Sequence, residues 1–243
     1  MPSDIRQNKM LNLVLWALLA AFLAGILLSV LVPTVADEPS FFDNFRPSRK
    51  IAAGSDLGQI AEAYGRYLQK NRLPVLPPPS QLPKTAHAAA FLLAQNNDPN
   101  NAAVWFIKSD EIYANAAIPE KIISGDVATA RQPDTGFAVL PLSVFVAANI
   151  SIKAPAATTP IAWTRGLQPD GTWSQTNSPW KGKGGHIAFL DGHVDWADRL
   201  STEPGEYSLV KFGTQEPTVN ILEALPPGAV VLPAEPEMPA VDK

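Results

Sequence analysis

The chain of 243 residues contains no cysteine. This absence excludes disulfide bonds, thiolate-bound zinc, iron–sulfur clusters and cysteine nucleophiles. A basic surplus is also missing, since 19 Lys and Arg stand against 23 Asp and Glu and the net charge is −4. Such a chain lacks the electrostatic footprint of a nucleic-acid-binding protein. Only three histidines are present, which restricts metal or acid–base chemistry to a few places.

Motifs of common enzymes are missing as well. No segment resembles a phosphate-binding glycine loop or a nucleophile elbow, and no spacing of Ser, His and Asp indicates a hydrolase triad. We therefore expect a protein that is not an enzyme and has no cofactor. We also expect neither a nucleic-acid partner nor a small-molecule ligand.

The longest apolar run, residues 11–32, contains no charged residue. As a helix rising ~1.5 Å per residue it would measure about 33 Å, enough to cross a bilayer core of ~30 Å. Pro33 follows the run and would end the helix. The run therefore predicts a single transmembrane signal anchor, with a cytoplasmic leader at residues 1–10. The alternative is a signal peptide that is cleaved before Asp37.

Small residues recur along this run. Ala17, Ala21 and Gly25 are four positions apart in the sequence, which places them on one face of a helix. Small side chains let membrane helices approach each other closely. The three residues therefore predict a packing surface between membrane helices.

Beyond the apolar run, the chain divides into three parts. Residues 33–47 contain several prolines and predict an extended connector. Residues 48–225 carry the regular apolar patterns and predict an extracytoplasmic head. Residues 226–243 are rich in proline and predict a loosely ordered tail, with the alternative that residues 229–233 (AVVLP) pack on the head.

The head begins with a helix and continues with strands. Residues 48–69 show helical spacing, with an apolar stripe made of Leu57, Ile60, Ala61, Tyr64 and Leu68. Residues 85–96 predict a second, short helix. The later apolar runs are short and bounded by turn residues, and they predict strands at 103–107, 136–150, 159–165, 186–190, 193–197 and 207–212. We therefore predict an α+β fold, with the amphipathic helix packed on a small antiparallel β-sheet.

The two runs at 186–197 flank Asp191 and Gly192. Asp-Gly is a strong signal for a two-residue hairpin turn. Because side chains alternate along each strand, this turn would place four apolar residues on one face. The predicted core face of the hairpin consists of Ile187, Phe189, Val194 and Trp196.

The hairpin also carries polar residues that suit a metal or acid–base site. Alternation places His193 and Asp195 on one face, whereas His186 lies at the far end of the partner strand. Two ligands can converge on an ion, but a third would have to come from elsewhere. We assign no metal ligand and no catalytic residue, and a site made of His186, Asp191, His193 and Asp195 stays an alternative.

Three tryptophans lie in a region rich in glycine and proline, at Trp163, Trp173 and Trp180. Their rings could stack on a sugar, which would suit an anchored envelope protein whose head binds a glycan or another ligand. The other interpretation is that the rings cover hydrophobic surface, as large aromatic side chains usually do.

Three segments resemble, in order, the prepilin-like and pseudopilin-like proteins of Verrucomicrobia and Planctomycetes. Residues 184–196 (GGHIAFLDGHVDW) resemble their C-terminal H-X9-DG signature. Residues 55–77 resemble the helix after the membrane span, and residues 158–166 resemble the strand before the glycine-rich loop. The chain departs from the family where Lys181 replaces the signature histidine, and the cleavage motif of prepilin peptidase is missing.

This resemblance implies a divergent pilin-like protein that keeps its anchor and its head. The protein would span the bacterial inner membrane once and present the head to the periplasm. It would act by protein–protein contacts in or beside a type II secretion or type IV pilus-like assembly. Its expected partners are the lipid bilayer and other pilin-like or secretion-system subunits.

Overall fold

A computed structural model describes residues 46–71, 75–76, 84–97, 100–125 and 131–236. The chain divides into two compact units, Met1–Pro47 and Ser48–Lys243, and the fold below is that of the second unit. Among the described residues, no helix combines the length and the apolar character needed to cross a bilayer. The predicted anchor, with Ala17, Ala21 and Gly25, lies outside the described residues.

The described residues form four α-helices and eleven short strands. The helices are α1 (Arg46–Asn71), α2 (Ala86–Asn97), α3 (Thr135–Val139) and α4 (Ile221–Ala224). Two 3₁₀ turns cover Ala102–Trp105 and Glu111–Tyr113. The strands are β1 (Val75–Leu76), β2 (Ile123–Ser124), β3 (Gln132–Pro133), β4 (Val144–Ala148), β5 (Ile150–Ser151), β6 (Pro160–Thr164), β7 (Gly185–Phe189), β8 (Val194–Ala197), β9 (Leu209–Val210), β10 (Pro217–Thr218) and β11 (Val230–Leu232).

The main sheet has five strands in the order β11-β4-β6-β7-β8, and every neighbouring pair is antiparallel. This confirms the predicted α+β class with an antiparallel sheet. Two of the three inner strands, β6 and β7, are buried along their whole length. Continuous burial means that the sheet is covered on both faces, which accounts for the unbroken apolar character of these runs.

Helix α1 lies on one face of the sheet. All five residues of the predicted apolar stripe are buried, as the helical spacing indicated. Tyr64 donates a hydrogen bond of 2.9 Å to the carbonyl of Ala147 on β4. Nearer the start of the helix, Gly58 faces Val194 on β8. The helix therefore crosses the sheet from β8 to β4, and these contacts hold the helix against the sheet.

The hairpin of β7 and β8 forms, but the predicted register is wrong by one residue. His186 pairs with Trp196 and Ala188 pairs with Val194. The loop is longer than two residues, because Gly192 N–H donates to the carbonyl of Phe189 and Phe189 N–H donates to the carbonyl of His193. Gly192 has a φ of 94°, which is the left-handed residue expected at the end of a three-residue loop.

This shift divides the predicted core face between the two sides of the sheet, since one step along a strand reverses every side chain. Val194 and Trp196 share a side with His186, next to α1. Ile187 and Phe189 point to the opposite side, where the ring of Phe189 stacks on His193. Asp191 and Gly192 lie within the hairpin loop.

Two other segments differ from the predicted strands because polar side chains cap helical turns. The Asn101 side chain accepts a hydrogen bond from Ala103 N–H, and residues 102–105 form a 3₁₀ turn. Asp134 accepts from Gly136 N–H and Phe137 N–H, and α3 follows. Such caps satisfy backbone donors that a strand would have to pair elsewhere.

The expected tail also contains part of the sheet. Residues 230–232 form β11, which pairs with β4 at one edge. Two further backbone hydrogen bonds hold the segment, from Leu142 N–H to the carbonyl of Ala234 and from Ala86 N–H to the carbonyl of Pro233. The prediction of a loosely ordered tail is therefore wrong for residues 230–234, and the alternative that residues 229–233 pack agrees with the structure.

Candidate functional site

The exposed side of the hairpin gathers Asp191, His193 and Asp195. His193 Nδ1 lies 2.5 Å from Asp191 Oδ1, and His193 Nε2 lies 3.7 Å from Asp195 Oδ2. Tyr207 donates a hydrogen bond of 2.9 Å to Asp195. Burial, with the neighbouring Asp195 carboxylate, raises the pKa of the Tyr207 phenol, so this group stays a donor.

His186 does not belong to this cluster, because the register places it on the opposite side of the sheet. Within the described ranges, no group of three or more His, Asp or Glu side chains is arranged to hold a metal ion. The four residues considered for a metal or acid–base site are therefore not brought together. What remains on this side of the hairpin is two separate hydrogen bonds, Asp191–His193 and Tyr207–Asp195. His193 Nε2 and Asp195 are too far apart for a hydrogen bond between the two pairs.

His186 is instead buried between the sheet and α1, with 6% of its surface exposed. Its Nε2 side faces Gly54, and the ring hydrogen-bonds to the backbone of Lys50. A Cβ on Gly54 would lie 3.2 Å from the imidazole, so glycine at this position lets the ring approach the helix closely. Burial, with the nearby charge of Lys50, lowers the pKa of His186 to about 4.

Two tryptophans complete the packing around this histidine. The ring centroids of His186 and Trp196 are 4.8 Å apart, and those of Trp180 and Trp196 are 5.6 Å apart, both in edge-to-face geometry. Lys50 Nζ lies 3.8 Å above the Trp196 ring, a cation–π arrangement. Trp196 Nε1 donates to Asp198, 2.6 Å away. This aromatic cluster of Trp180, His186 and Trp196 packs the start of α1 against β7 and β8.

Two of the three tryptophans considered for ligand contact are buried. Trp163 is 2% exposed and lies beside Phe145 within the sheet. Trp173 is 4% exposed, and its ring covers Gly185 so closely that a Cβ there would overlap it. Neither ring can stack on a sugar, and both cover hydrophobic surface instead. Trp180 is half-buried and borders a pocket.

This pocket has a volume of about 250 Å³ and lies between the first half of α1 and residues 103–109. Its lining is mostly apolar, with Trp180 as one wall. The polar lining residues are Arg49, Asp56, Lys108 and Ser109. Burial raises the pKa of Asp56, while the nearby Lys108 acts in the opposite direction.

A buried ion pair lies in the same part of the chain and was not predicted. Arg165 donates a 2.5 Å hydrogen bond to Asp110, and both side chains are almost fully buried. Ser143 donates to the same Asp110 oxygen, and Tyr113 hydrogen-bonds to Ser143 at 3.1 Å. The one sequence feature that points to this place is Asp110, a residue type that commonly caps helical turns. Its side chain accepts a hydrogen bond from Ile112 N–H at the start of the following 3₁₀ turn. No pattern in the sequence indicates its partner Arg165, which directly follows β6.

No family model matches this chain, and no curated protein or solved structure is significantly similar to it. Function must therefore be inferred from the contacts and surfaces of the chain itself.

Proposed function

We propose that this chain is a single-pass, membrane-anchored, pseudopilin-like protein. It acts through protein–protein contacts in or beside a type II secretion or type IV pilus-like assembly of the bacterial envelope. The head is presented outside the inner membrane, and the membrane helices of neighbouring subunits pack against each other.

One observation carries this proposal: α1 is a helix of 26 residues that packs across an antiparallel sheet. It follows the apolar run 11–32 in the sequence, so anchor, helix and sheet occur in the order that the resemblance implies. The GGHIAFLDGHVDW stretch forms the last hairpin of the main sheet, adjacent to α1. Its residues build the fold, and no catalytic group is needed to account for them.

The proposal is tested by disulfide crosslinking in membranes. Since the chain has no cysteine, a single introduced cysteine reports on one position only. Ala21→Cys lies in the small-residue stripe, whereas Leu23→Cys is turned by about 200° on a helix and serves as the matched control. We expect oxidation to give a covalent dimer or a crosslink to another subunit at Ala21→Cys, and much less at Leu23→Cys.

Equal crosslinking at the two positions would contradict packing through the stripe. A protein that stays monomeric at both positions, and that co-purifies with no envelope subunit, would refute the assembly role altogether. N-terminal sequencing of the protein from native membranes is the second test. A start at Met1 supports the anchor, a start near Met10 indicates pilin-type processing, and a start at Asp37 contradicts a permanent anchor.

A further inference from the structure

The pocket beside α1 is not used by the proposed assembly role. Its apolar walls come from Ala52, Ala53, Ala103, Phe106 and Ile107, together with the ring of Trp180. A volume of about 250 Å³ is slightly below the ~300–1,000 Å³ range of pockets for drug-sized ligands. The pocket therefore has room for one small molecule with a compact apolar body.

The charges at the pocket are not balanced. Arg49 and Lys108 are both exposed, and neither has a carboxylate within ion-pair distance in the part of the chain that the structure describes. Asp56 supplies one negative charge to the same lining. Two cations and one carboxylate leave a surplus of one positive charge, which matches a ligand with a single negative charge.

Hydrogen-bonding groups beside the pocket are also unused. The hydroxyl of Ser109 and the indole N–H of Trp180 are buried and have no hydrogen-bond partner among the described residues. Ser109 is itself one of the residues that line the pocket. A ligand carboxylate would accept hydrogen bonds from this hydroxyl and from the two cations, and charge-assisted hydrogen bonds of this kind are the stronger class.

We propose that this pocket binds a small monocarboxylate with a compact apolar body. Arg49 and Lys108 hold the carboxylate at the rim, and the apolar walls with the Trp180 ring cover the body of the ligand. Asp56 disfavours ligands with two negative charges, because a second charge would lie unpaired beside its carboxylate. This ligand site goes beyond the proposed function.

The test uses the full chain in a neutral detergent, with phenylacetate as the probe and uncharged phenylacetamide as its counterpart. The indole N–H signals of the six tryptophans are followed by NMR, and the Trp180 signal is identified with Trp180→Phe. We expect phenylacetate to shift the Trp180 signal saturably and to leave the buried Trp163 signal unchanged. Phenylacetamide should bind more weakly by a factor on the order of ten, because it lacks the charge.

The variants Lys108→Met and Arg49→Met should weaken phenylacetate binding by a similar factor. Both side chains are exposed, so their loss leaves the core intact. Lys153→Met, an exposed lysine outside the pocket lining, is the matched control and should bind as the parent does. The proposal is overturned if the Trp180 signal does not shift saturably. It is equally overturned if the acid and the amide bind alike, or if Lys108→Met and Arg49→Met both bind like the control.

Discussion

His186 shows how one buried side chain makes the fold sensitive to pH. Its pKa is about 4 in the folded head, because burial and the charge of Lys50 disfavour the proton, against an ordinary value of 6.5 for histidine. Between these values the unfolded chain binds a proton that the folded chain does not. Stability is therefore fully present above pH 6.5 and is lost as the pH falls toward about 4.

This linkage predicts a loss of about 3 kcal/mol of unfolding free energy across that window, at ~1.36 kcal/mol per pH unit. Urea unfolding of the full chain in neutral detergent, at pH 7 and pH 4.5, measures it. In the His186→Gln variant, the unfolding free energy should depend less steeply on pH. Part of the pH dependence should persist, since burial also lowers the pKa of His87. A dependence as steep in the variant as in the parent would rule out this role of His186.

Gly185 offers a second prediction at the scale of one residue. A Cβ at this position would overlap the ring of Trp173, which is itself buried. Gly185→Ala should therefore destabilise the head by at least ~1–3 kcal/mol, the usual cost of overpacking a core. Gly65→Ala is the control, because no atom lies near its added Cβ and the helix gains propensity. A stable Gly185→Ala protein would show that the Trp173 loop can move away at little cost.

The ion pair of Asp110 and Arg165 predicts strong coupling between two buried charges. Arg165→Met leaves the Asp110 carboxylate buried without its cation, which typically costs ~3–5 kcal/mol. Adding Asp110→Asn removes that charge and keeps an oxygen for the cap at Ile112 N–H. The double variant should therefore recover part of the loss in thermal or urea unfolding. Additive losses would instead indicate that the two side chains act independently.

At the scale of elements, two of the three glycines of helix α1 differ in what an added side chain would meet. A Cβ on Gly58 would make an ordinary contact of 3.6 Å with Val194, whereas one on Gly54 would press against His186. Gly58→Ala should therefore raise stability by up to ~1 kcal/mol through helix propensity. Gly54→Val should lower it by displacing the His186 ring. Thermal unfolding of both variants checks this, and a loss in both would mean that α1 cannot accept any added bulk on this side.

Element type was easier to predict than register. The spacing of Leu57, Ile60 and Tyr64 predicts α1 correctly, because one face of a long helix must be apolar to pack on a sheet. The Asp-Gly pair predicts a hairpin with a two-residue loop. The loop in the structure has three residues, because it also includes the apolar Leu190. Nothing in the polarity of the sequence marks Leu190 as part of a loop. One extra loop residue then reverses the face of every residue on β8.

At the scale of the whole molecule, the pocket was not predictable because its parts are distant in sequence. Asp56 lies on α1, Lys108 follows the first 3₁₀ turn, and Trp180 lies in the segment before β7. No local spacing joins them, and they meet where α1 lies beside residues 103–109 and Trp180. The buried ion pair between Asp110 and Arg165 follows the same rule. Patterns along the chain report single elements, whereas sites arise where elements meet.

The strand order of the main sheet also limits when each strand can pair. Strands β6, β7 and β8 each pair with the main-sheet strand that comes before them in the chain. The other edge of β4 pairs with β11, which is the last strand in the chain. Strands β5 to β10 and helix α4 all lie between these two in the chain. During synthesis, one edge of β4 therefore stays unpaired until residues 230–232 have been added. For that interval the unpaired edge needs protection from other chains.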